Sequence, residues 1–412
     1  MKTKAVRLYG EGDLRLEEFD LPEIQSGEIL IKIISDSVCM STYKTAKQGA
    51  KHIRVPDNVA ENPIIVGHEF CGEVVEVGEK WKGKYNVGDK VVAPPVLSYL
   101  GGYETIGYTF PLIGGVSTYS VVYEHIIENG FLMKLESDAY FKGSLIEPAS
   151  CVIRGYKANY HLDEKLLPFT NIRPGGKTII LAGCGPMGLV AIDIALHGDV
   201  KPSMVVVTDL NEERLARARE IFSPERARED GIELIFTTAT DKESLMEISG
   251  GKGYDDVFVY APVASVCELA DSILGFDGCL NFFAGPMDKS FSAPINFYNV
   301  HYAQHHYAGT SGSTPEDMAD IVRLIGEGKI NPATMVTHIG GIDSAIEATL
   351  NLPKIPGGKK LIYTHINMPL TAIEDFEKLG GDDERFAVMA RLVSENGGLW
   401  CADAEKYLLE NF

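Results

Sequence analysis

One short stretch, Gly183-Cys184-Gly185-Pro186-Met187-Gly188, restricts the fold of this chain more than any other. It follows the apolar, strand-like run Thr178 to Leu181 and opens a helix that we expect to end near His197-Gly198. In such a turn the first glycine allows a tight bend, the second lets the backbone approach a pyrophosphate, and the third lets the helix pack on the strand. The free N–H groups of the helix N-terminus favour phosphate. We therefore predict a dinucleotide-binding turn formed by Gly183, Gly185, Pro186, Met187 and Gly188.

An acidic residue stands where such a turn needs one. Asp209 closes the next apolar strand, twenty-one residues after Gly188. Its carboxylate is placed to accept both ribose hydroxyls of an adenosine, and it would repel a 2′-phosphate. We therefore expect NAD(H) to be favoured over NADP(H). The alternative interpretation is a tight glycine turn followed by an aspartate that caps a helix.

The pattern of apolar residues changes along the chain. From Lys4 to about Val122, short strand-like runs alternate with glycine turns, which is typical of an all-β module. From Thr178 to Phe283, apolar runs alternate with helical segments, which predicts a parallel sheet covered by helices. The stretch Thr371 to Phe412 has helical spacing. We expect an α/β protein in three segments: an all-β module (1–155), a doubly wound dinucleotide-binding domain (156–310), and residues 311–412, which include a helical C-terminal extension.

The composition excludes two classes of partner. The 412 residues include 38 Lys and Arg against 58 Asp and Glu, a formal net charge of −20. Nucleic acid is bound by clustered basic residues, so we expect no nucleic-acid partner. No apolar run approaches the length of a membrane span or forms the core of a secretory signal, so we expect no membrane partner. The seven scattered cysteines indicate a reducing compartment, and the cytoplasm is the expected location.

Potential metal ligands of three chemical types lie in the β-rich part. They are Cys39, the pair His68 and Glu69 within a Gly-His-Glu motif, and Glu147 at its end. Thiolate, imidazole and carboxylate together suit Zn²⁺, and three protein ligands leave a fourth position for water or substrate, as in a catalytic site. Taken alone, a His-Glu pair before an apolar run is more often the capped end of a strand.

These motifs, in this order, resemble those of the zinc-dependent medium-chain dehydrogenase/reductase family, in particular its polyol dehydrogenase branch. The resemblance covers about residues 1–365 and rests on the motifs at Cys39, His68 and Glu147, on the glycine turn and on Asp209. It implies that residues 1–155 form a GroES-like catalytic domain, which residues 311–412 complete, and that a Rossmann domain (156–310) is inserted within it. It also implies hydride transfer between NAD(P) and an alcohol or carbonyl carbon. Members of the family are dimers or tetramers, and we expect a homodimer or homotetramer.

For the metal site, the resemblance implies that Cys39 and His68 are zinc ligands. Glu147 matches the third ligand or a nearby carboxylate, and Glu69 matches a carboxylate that can enter or leave the metal shell, so both stay candidates for the last protein position. Relatives with a second, structural zinc carry four cysteines in the lobe that corresponds to residues 92–119, and this chain has none there. We expect one catalytic zinc per chain and no structural zinc.

The resemblance also implies roles in proton transfer and cofactor binding. Ser41 matches the hydroxyl that passes the substrate proton toward solvent, and Lys44 stands where relatives often carry a relay histidine. Thr42 replaces an acid that many members have after the relay hydroxyl, so we expect support of the zinc shell to come from elsewhere. Arg214 matches a basic residue near the adenosine ribose.

The insertion Gln48 to Asn62 and the C-terminal extension look most like the L-sorbose-1-phosphate reductase subgroup. This resemblance implies interconversion of a ketose phosphate and a hexitol phosphate. A phosphate dianion needs charge-assisted donors, and basic residues concentrate beside the metal loop, namely Lys44, Lys47, His52 and Arg54. We take Lys44 and Arg54 as candidate phosphate ligands. The alternative is a solvated loop with ordinary basic residues.

Two other functions stay open. One is a zinc alcohol, sorbitol or threonine dehydrogenase that acts on an unphosphorylated substrate. The other is a dinucleotide-binding protein without enzymatic activity, which would be expected to have lost its metal ligands, whereas Cys39, His68, Glu147 and Ser41 are all present. The histidines at positions 301, 305 and 306 lie among tyrosines, and we interpret them as an interface or hinge segment rather than a second metal site.

Overall fold

The computed structural model describes residues 1–95 and 104–412, and the chain divides into two compact units. The first unit comprises Met1–Pro148, Thr314–Val322 and Val336–Phe412, and the second comprises Ala149–Ser313 and Arg323–Met335. The domain bounds expected from the sequence stay a prediction. Part of the lobe in which we expect no structural zinc, residues 96–103, lies outside the described residues.

The strands are β1 (Lys2–Gly10), β2 (Asp13–Asp20), β3 (Ile29–Ser37), β4 (Ile64–Ile65), β5 (Phe70–Val77), β6 (Lys90–Val92), β7 (Tyr119–Val122), β8 (Met133–Lys134), β9 (Tyr160–Leu162), β10 (Pro168–Thr170), β11 (Lys177–Leu181), β12 (Met204–Thr208), β13 (Glu233–Thr237), β14 (Tyr254–Val259), β15 (Leu274–Phe282), β16 (His306–Ala308), β17 (Val336–Gly341), β18 (Lys359–Tyr363) and β19 (Thr371–Ala372). The α-helices are α1 (Met40–Gln48), α2 (Glu124–Glu128), α3 (Tyr140–Ser144), α4 (Ile146–Ala158), α5 (Pro186–His197), α6 (Glu212–Ile221), α7 (Pro224–Glu229), α8 (Lys242–Ile248), α9 (Ala264–Ser272), α10 (Phe297–Tyr302), α11 (Pro315–Gly326), α12 (Ala345–Asn351), α13 (Phe376–Leu379), α14 (Glu384–Glu395) and α15 (Ala402–Asn411). Within the described ranges, none of these helices is both long enough and apolar enough to cross a membrane.

The first unit is built on two sheets. A small antiparallel sheet has the strand order β2-β1-β4, and a larger, mostly antiparallel sheet has the order β19-β17-β18-β3-β5-β6-β8, with β7 also paired to β3. Alternate side chains of β3, from Ile29 to Ile33, enter an apolar core, as the two-residue period of a strand requires. The pairing of β3 with β5 sets Asp36 opposite Phe70. The segment after β3 therefore lies beside the segment that precedes β5.

The second unit contains a parallel sheet in the order β13-β12-β11-β14-β15-β16. The strands at its centre are apolar because helices cover a sheet of this kind on both faces, and Ile179, Val206 and Val257 are fully buried. The chain reverses its winding direction at β11, so a crevice is expected at the carboxyl ends of β11 and β14. The doubly wound Rossmann arrangement predicted from the sequence is confirmed.

The C-terminal helical extension packs within the first unit. Trp400 is fully buried, and its indole N–H donates to the Tyr363 hydroxyl at 2.9 Å. The buried Glu405 carboxylate accepts hydrogen bonds from the Tyr363 hydroxyl at 2.8 Å and from the backbone N–H groups of Tyr140 and Phe141 at 2.6 and 2.7 Å. Free N–H groups at a helix N-terminus need such acceptors. The extension thus fixes the start of α3, which leads into α4.

Candidate active site

Cys39 stands in the connection between β3 and α1. It is the N-cap residue of α1, with extended backbone angles of φ −111° and ψ 146°. Its sulfur accepts a hydrogen bond from the backbone N–H of Ser41 at 3.4 Å. A helix N-terminus stabilises negative charge through its free N–H groups and its dipole. This hydrogen bond acts in favour of the thiolate, the form of cysteine that binds metal ions, although burial acts more strongly in the opposite direction.

His68 and Glu69 are the last two residues before β5. Gly67 precedes them with φ of +92°, and a Cβ atom there would lie 2.7 Å from the backbone nitrogen of Val116, so only glycine fits. The backbone N–H of Glu69 donates to the Asp36 carboxylate at the end of β3, at 3.2 Å. These contacts set the direction in which both side chains leave the backbone.

The side chains of Cys39, His68 and Glu69 converge. One potential ligand atom from each lies within 4.8 Å of the other two, a spacing that allows one metal ion to contact all three. His68 is 4% exposed and Glu69 is 1% exposed, so these donors are withdrawn from bulk water. The structure thus brings together three of the four residues that we predict as ligands.

A lysine outside the predicted set, Lys359, lies against Glu69. Its ammonium group donates to the two carboxylate oxygens at 2.6 and 2.5 Å, and both side chains are buried. Burial disfavours the charged lysine, but the charge and hydrogen bond of Glu69, together with the charges of Cys39 and Glu147, raise the pKa of Lys359 overall. The sequence carries a weak signal of this pair, because two lysines open the apolar strand β18, and a buried lysine requires a partner.

Glu147 lies in the first turn of α4 and is 7% exposed. Its charge acts on Cys39, Asp36 and Lys359, so it lies near the metal donors. It does not belong to the group of three whose ligand atoms converge. Of the two candidate carboxylates, Glu69 is therefore the one beside Cys39 and His68, and it is already paired with a lysine.

The pKa values of Cys39 and His68 indicate which kind of ion these side chains suit. Burial, followed by the charge of Glu69, raises the pKa of the Cys39 thiol to about 12. Burial also lowers the pKa of His68 to about 4, so this imidazole is neutral, as a metal ligand must be. A thiolate in this place requires a cation. Zn²⁺ accepts sulfur, nitrogen and oxygen donors together, and the residues present fit a zinc ion.

Two hydroxyl groups on the first turn of α1 have different neighbours. The Thr42 Oγ1 atom lies 3.3 Å from Nδ1 of His68, which orients the ring and leaves Nε2 for a metal ion. The expectation that support must come from a residue other than Thr42 is therefore wrong, because a hydroxyl can orient the imidazole as an acid does. Ser41, the predicted proton relay, lies beside Tyr108. Burial raises the pKa of Tyr108 well above its usual value, and hydrogen bonding with Ser41 opposes this shift.

The basic residues near the metal loop are not equivalent. Lys47 is exposed on α1. Lys44 and Arg54 both act on the imidazole of His52, whose pKa is lowered by burial and then by these two charges. The charge of Arg54 also reaches His68. The structure thus brings Lys44, His52 and Arg54 together beside the metal donors.

In the second unit, the predicted glycine turn lies between β11 and α5 and is held by backbone contacts. The N–H of Gly183 donates to the carbonyl of Thr208 at 2.8 Å, and α5 begins with Pro186-Met187 after Gly185 as the N-cap residue. A Cβ atom at Gly188 would lie 2.0 Å from the Gly183 oxygen, so the helix touches the turn there. A Cβ atom at Gly185 would meet nothing within 4 Å, which leaves room for a phosphate.

Asp209 follows β12 and lies next to this turn. Its carboxylate accepts hydrogen bonds from the backbone N–H groups of Cys184 at 3.2 Å and of Asn211 at 3.0 Å. Arg214 lies in the first turn of α6, where its N–H donates to the capping side chain of Asn211 at 2.9 Å, and its charge acts on Cys184. The acidic and basic residues predicted near the adenosine ribose thus flank the same turn.

The histidines near α10 do not form a metal site in the described part of the chain. His306 Nε2 bonds the Asp277 carboxylate at 2.7 Å, His305 is buried, and His301 is exposed with its ring edge against Tyr302. Among residues 1–95 and 104–412, the group described above provides the one set of three potential ligands within reach of a single ion. The interpretation of these histidines as an interface or hinge segment stays a prediction.

Comparison with known proteins identifies the family. The alcohol dehydrogenase GroES-like domain matches residues 25–129, and the zinc-binding dehydrogenase family matches residues 186–327. The L-sorbose 1-phosphate reductase of Klebsiella pneumoniae is 48% identical over 99% of this chain and 97% of its own length. The chain belongs to the zinc-dependent medium-chain dehydrogenase family. The family and the GroES-like fold expected from the sequence are confirmed, and the dehydrogenase is an oxidoreductase of the alcohol dehydrogenase type.

Other relatives agree with this assignment. The mannitol-1-phosphate 5-dehydrogenase of Aliivibrio fischeri is 45% identical to the dehydrogenase over 99% of this chain and 98% of its own. The solved structure of 2R,3R-butanediol dehydrogenase from Bacillus subtilis has a TM-score of 0.70 at 24% identity, over 88% of this chain and all of its own. The alcohol dehydrogenase of Thermotoga maritima has a TM-score of 0.71 at 20% identity, over 89% of this chain and all of its own. The two structures show the shared fold.

Proposed function

We propose that this dehydrogenase uses zinc to transfer hydride between NAD(H) and a sugar or polyol, with a ketose phosphate and a hexitol phosphate as its substrate pair. The proposal rests on the convergence of Cys39, His68 and Glu69 beside the half-buried basic residues Lys44 and Arg54. The names of two relatives, a reductase of L-sorbose 1-phosphate and a dehydrogenase of mannitol 1-phosphate, support the same class of substrate.

We propose that each chain binds one catalytic zinc at this site and has no second, structural zinc. Cys39, His68 and one carboxylate would hold it. When bound, zinc supplies a Lewis acid that polarises the substrate oxygen and lowers the pKa of an alcohol. The residues around the ligands have separate tasks, because Thr42 orients the imidazole of His68 and the N-terminus of α1 favours the thiolate of Cys39.

The two carboxylates have different roles in this proposal. Glu69 is paired with Lys359, so it can join or leave the metal shell without becoming a lone buried charge. Glu147 is buried in the first turn of α4, and its charge acts on both Cys39 and Lys359. We assign Glu69 as the nearer ligand and Glu147 as the carboxylate that takes the same position when Glu69 remains with Lys359.

Proton transfer is assigned to α1. Ser41 exchanges a proton with the substrate oxygen. It follows the metal donor Cys39 by two positions at the start of α1, and its hydroxyl lies next to Tyr108. Lys44 stands one turn further along the same helix. We propose that Lys44 passes this proton to solvent in place of a relay histidine.

The cofactor is assigned to the second unit. Gly183 to Gly188 and the N-terminus of α5 bind the pyrophosphate, and Asp209 accepts the ribose hydroxyls with Arg214 beside it. The carboxylate of Asp209 repels a 2′-phosphate, which favours NAD(H) over NADP(H).

A substrate panel tests the proposal. NADH oxidation is measured with L-sorbose 1-phosphate and with L-sorbose, before and after removal of metal by a chelator and after zinc is restored. We expect kcat/KM to be at least about tenfold higher for the phosphate, because a charge-assisted contact contributes this much, and we expect activity to require zinc. Full activity without metal would contradict the zinc mechanism. Preference for the plain ketose would favour an alcohol, sorbitol or threonine dehydrogenase.

The proposed setting is the cytoplasm, as a homodimer or homotetramer with no nucleic-acid or membrane partner. Large aromatic side chains on α10 are exposed and support a contact between copies, namely Phe297, Tyr298 and Tyr302. Light scattering after size-exclusion chromatography tests the oligomeric state, and a monomer at working concentration would contradict it.

A further inference from the structure

A second chemical feature lies beside the metal donors in the first unit. We call it the Tyr108 platform, and it consists of the Tyr108 ring with His52 and Arg54. The imidazole of His52 stacks on the ring with 5.5 Å between centroids, and the guanidinium carbon of Arg54 lies 5.6 Å from the ring centroid. The ring of His68 lies 5.1 Å from the same centroid. The platform therefore adjoins the place where a substrate oxygen would meet the metal.

The backbone fixes the position of the Tyr108 platform. Gly107 has φ of +81°, and a Cβ atom there would lie 2.4 Å from the Gly67 carbonyl oxygen, so this glycine lets Tyr108 approach His68. The hydroxyl of Thr109 donates to the carbonyl of Arg54 at 2.9 Å. These contacts tie the segment that carries Arg54 to the segment that carries Tyr108.

His52 and Arg54 both provide hydrogen-bond donors at the platform. The backbone N–H of Arg54 donates to Nδ1 of His52 at 3.2 Å, so the neutral imidazole carries its proton on Nε2. The guanidinium of Arg54 is half-buried, and within residues 1–95 and 104–412 no carboxylate pairs with it. In a chain with a net charge of −20, a positive group without an acidic partner beside a reaction centre suits an anionic ligand.

We propose that the Tyr108 platform binds the phosphate group of the sugar phosphate, with the guanidinium of Arg54 as the main contact and Nε2–H of His52 as a second donor. This assignment rests on the proposed function. A guanidinium binds phosphate through two parallel N–H groups, and the ring of Tyr108 holds its plane in one orientation. Arg54 and His52 are therefore specificity-determining residues, which discriminate a phosphorylated ketose from the plain sugar.

The kinetic test compares two charge-removing variants. Arg54→Gln removes the platform cation, and Lys51→Gln removes an exposed cation three residues away that is paired with Glu11 at 2.6 Å. With zinc-loaded enzyme and NADH, we expect Arg54→Gln to lower kcat/KM for L-sorbose 1-phosphate by about 30-fold or more, mainly through KM, and to change that for L-sorbose by less than about threefold. Lys51→Gln should leave both substrates within about twofold. Equal losses on both substrates in Arg54→Gln would overturn the assignment.

A binding test separates this inference from the proposed function. Calorimetry on the zinc-loaded protein measures the affinity for D-glucitol 6-phosphate and for D-glucitol, so it gives a result whether or not the enzyme turns them over. We expect wild type to bind the phosphate at least about tenfold more tightly and Arg54→Gln to lose this preference. Arg54→Lys should retain part of it, because lysine keeps the charge but not the planar fork. Equal affinity of wild type for the two ligands would overturn the assignment even if the dehydrogenase activity is established.

Discussion

Two sites of the molecule are built in opposite ways: the glycine turn of the second unit, and a cluster in the first unit that consists of the metal donors and Lys359. The turn is continuous in the chain and depends on backbone shape, since Gly183 to Gly188 form it and Gly188 lies against the Gly183 oxygen. The cluster is assembled by the pairing of β3, β5 and β18, which places Cys39, His68, Glu69 and Lys359 together. Damage to the turn should therefore act through steric contact, and damage to the cluster should act through unpaired buried charge.

The largest expected effect is on the buried ion pair of the cluster. Lys359→Met removes the cation from the buried carboxylate of Glu69 while keeping most of the side-chain volume. In chelator-treated protein, we expect the free energy of unfolding of the first unit to fall by about 3–5 kcal/mol, because an isolated buried charge is costly. Urea unfolding monitored by Trp400 and Trp81 fluorescence measures the change.

A double variant provides the control. Lys359→Met combined with Glu69→Gln removes both charges, so it should recover most of the lost stability in the metal-free protein. Zinc should stabilise Lys359→Met more than wild type, since the metal then neutralises Glu69. If Lys359→Met unfolds at the same urea concentration as wild type without metal, the ion pair does not have the role described.

Alanine substitutions at two glycines of the turn distinguish a steric loss of stability from a loss of NADH binding. Gly188→Ala places a methyl group 2.0 Å from the Gly183 oxygen, so we expect a loss of about 1–3 kcal/mol in stability together with weaker NADH binding. Gly185→Ala has free space and a φ of −76° that alanine adopts, so stability should stay within about 0.5 kcal/mol while NADH affinity falls about tenfold. Fluorescence titration with NADH and thermal unfolding measure the two effects. A Gly185→Ala protein that binds NADH normally would show that phosphate does not approach this residue.

The second unit has a buried charge pair of its own, with a smaller expected effect. Nδ1 of His161 lies 2.9 Å from the Asp277 carbonyl, and Nε2 lies 2.9 Å from the Asp256 carboxylate. Both neighbours are acceptors, so both ring nitrogens donate when the imidazole is charged. Burial lowers the pKa of His161, but the hydrogen bond and charge of Asp256 outweigh burial and raise it.

This shift predicts how stability depends on pH. The folded-state pKa of His161 lies above the unfolded value of about 6.5. The charged imidazole therefore makes its full contribution to the free energy of unfolding below about pH 6.5, and this contribution is lost as pH rises through the folded-state pKa. The urea midpoint of wild type should therefore fall between pH 6 and pH 9 by more than that of His161→Gln. Parallel pH dependence in the two proteins would show that His161 is not charged in the fold.

The same contrast explains which residues could be predicted from the sequence. The glycine turn and Asp209 are recognisable because strand, turn and helix follow one another, and Cys39 and His68 are recognisable because their types suit metal binding and they belong to known motifs. Lys359 and Tyr108 are distant from those motifs in the sequence. Lys359 is brought to the cluster by β18, and Tyr108 by a loop in which Gly107 lies against Gly67. Their residue types also occur on ordinary surfaces, so only the fold reveals them.

Thr42 shows a different limit. A motif comparison treats it as the loss of an acid, whereas its hydroxyl lies 3.3 Å from His68 Nδ1 and can orient the ring. Orientation of the metal-binding imidazole depends on geometry that several residue types can provide, and a sequence motif does not contain that geometry.

Zinc stoichiometry tests the central claim most directly, that Cys39, His68 and a buried carboxylate bind one metal ion. Native mass spectrometry is applied to wild type, Cys39→Ser and His68→Ala after purification with zinc present, and NADH affinity is measured in parallel. The account predicts one zinc per chain in wild type, none in either variant, and NADH affinity within about twofold in all three proteins. Zinc retained by both variants, or absent from wild type, would contradict it.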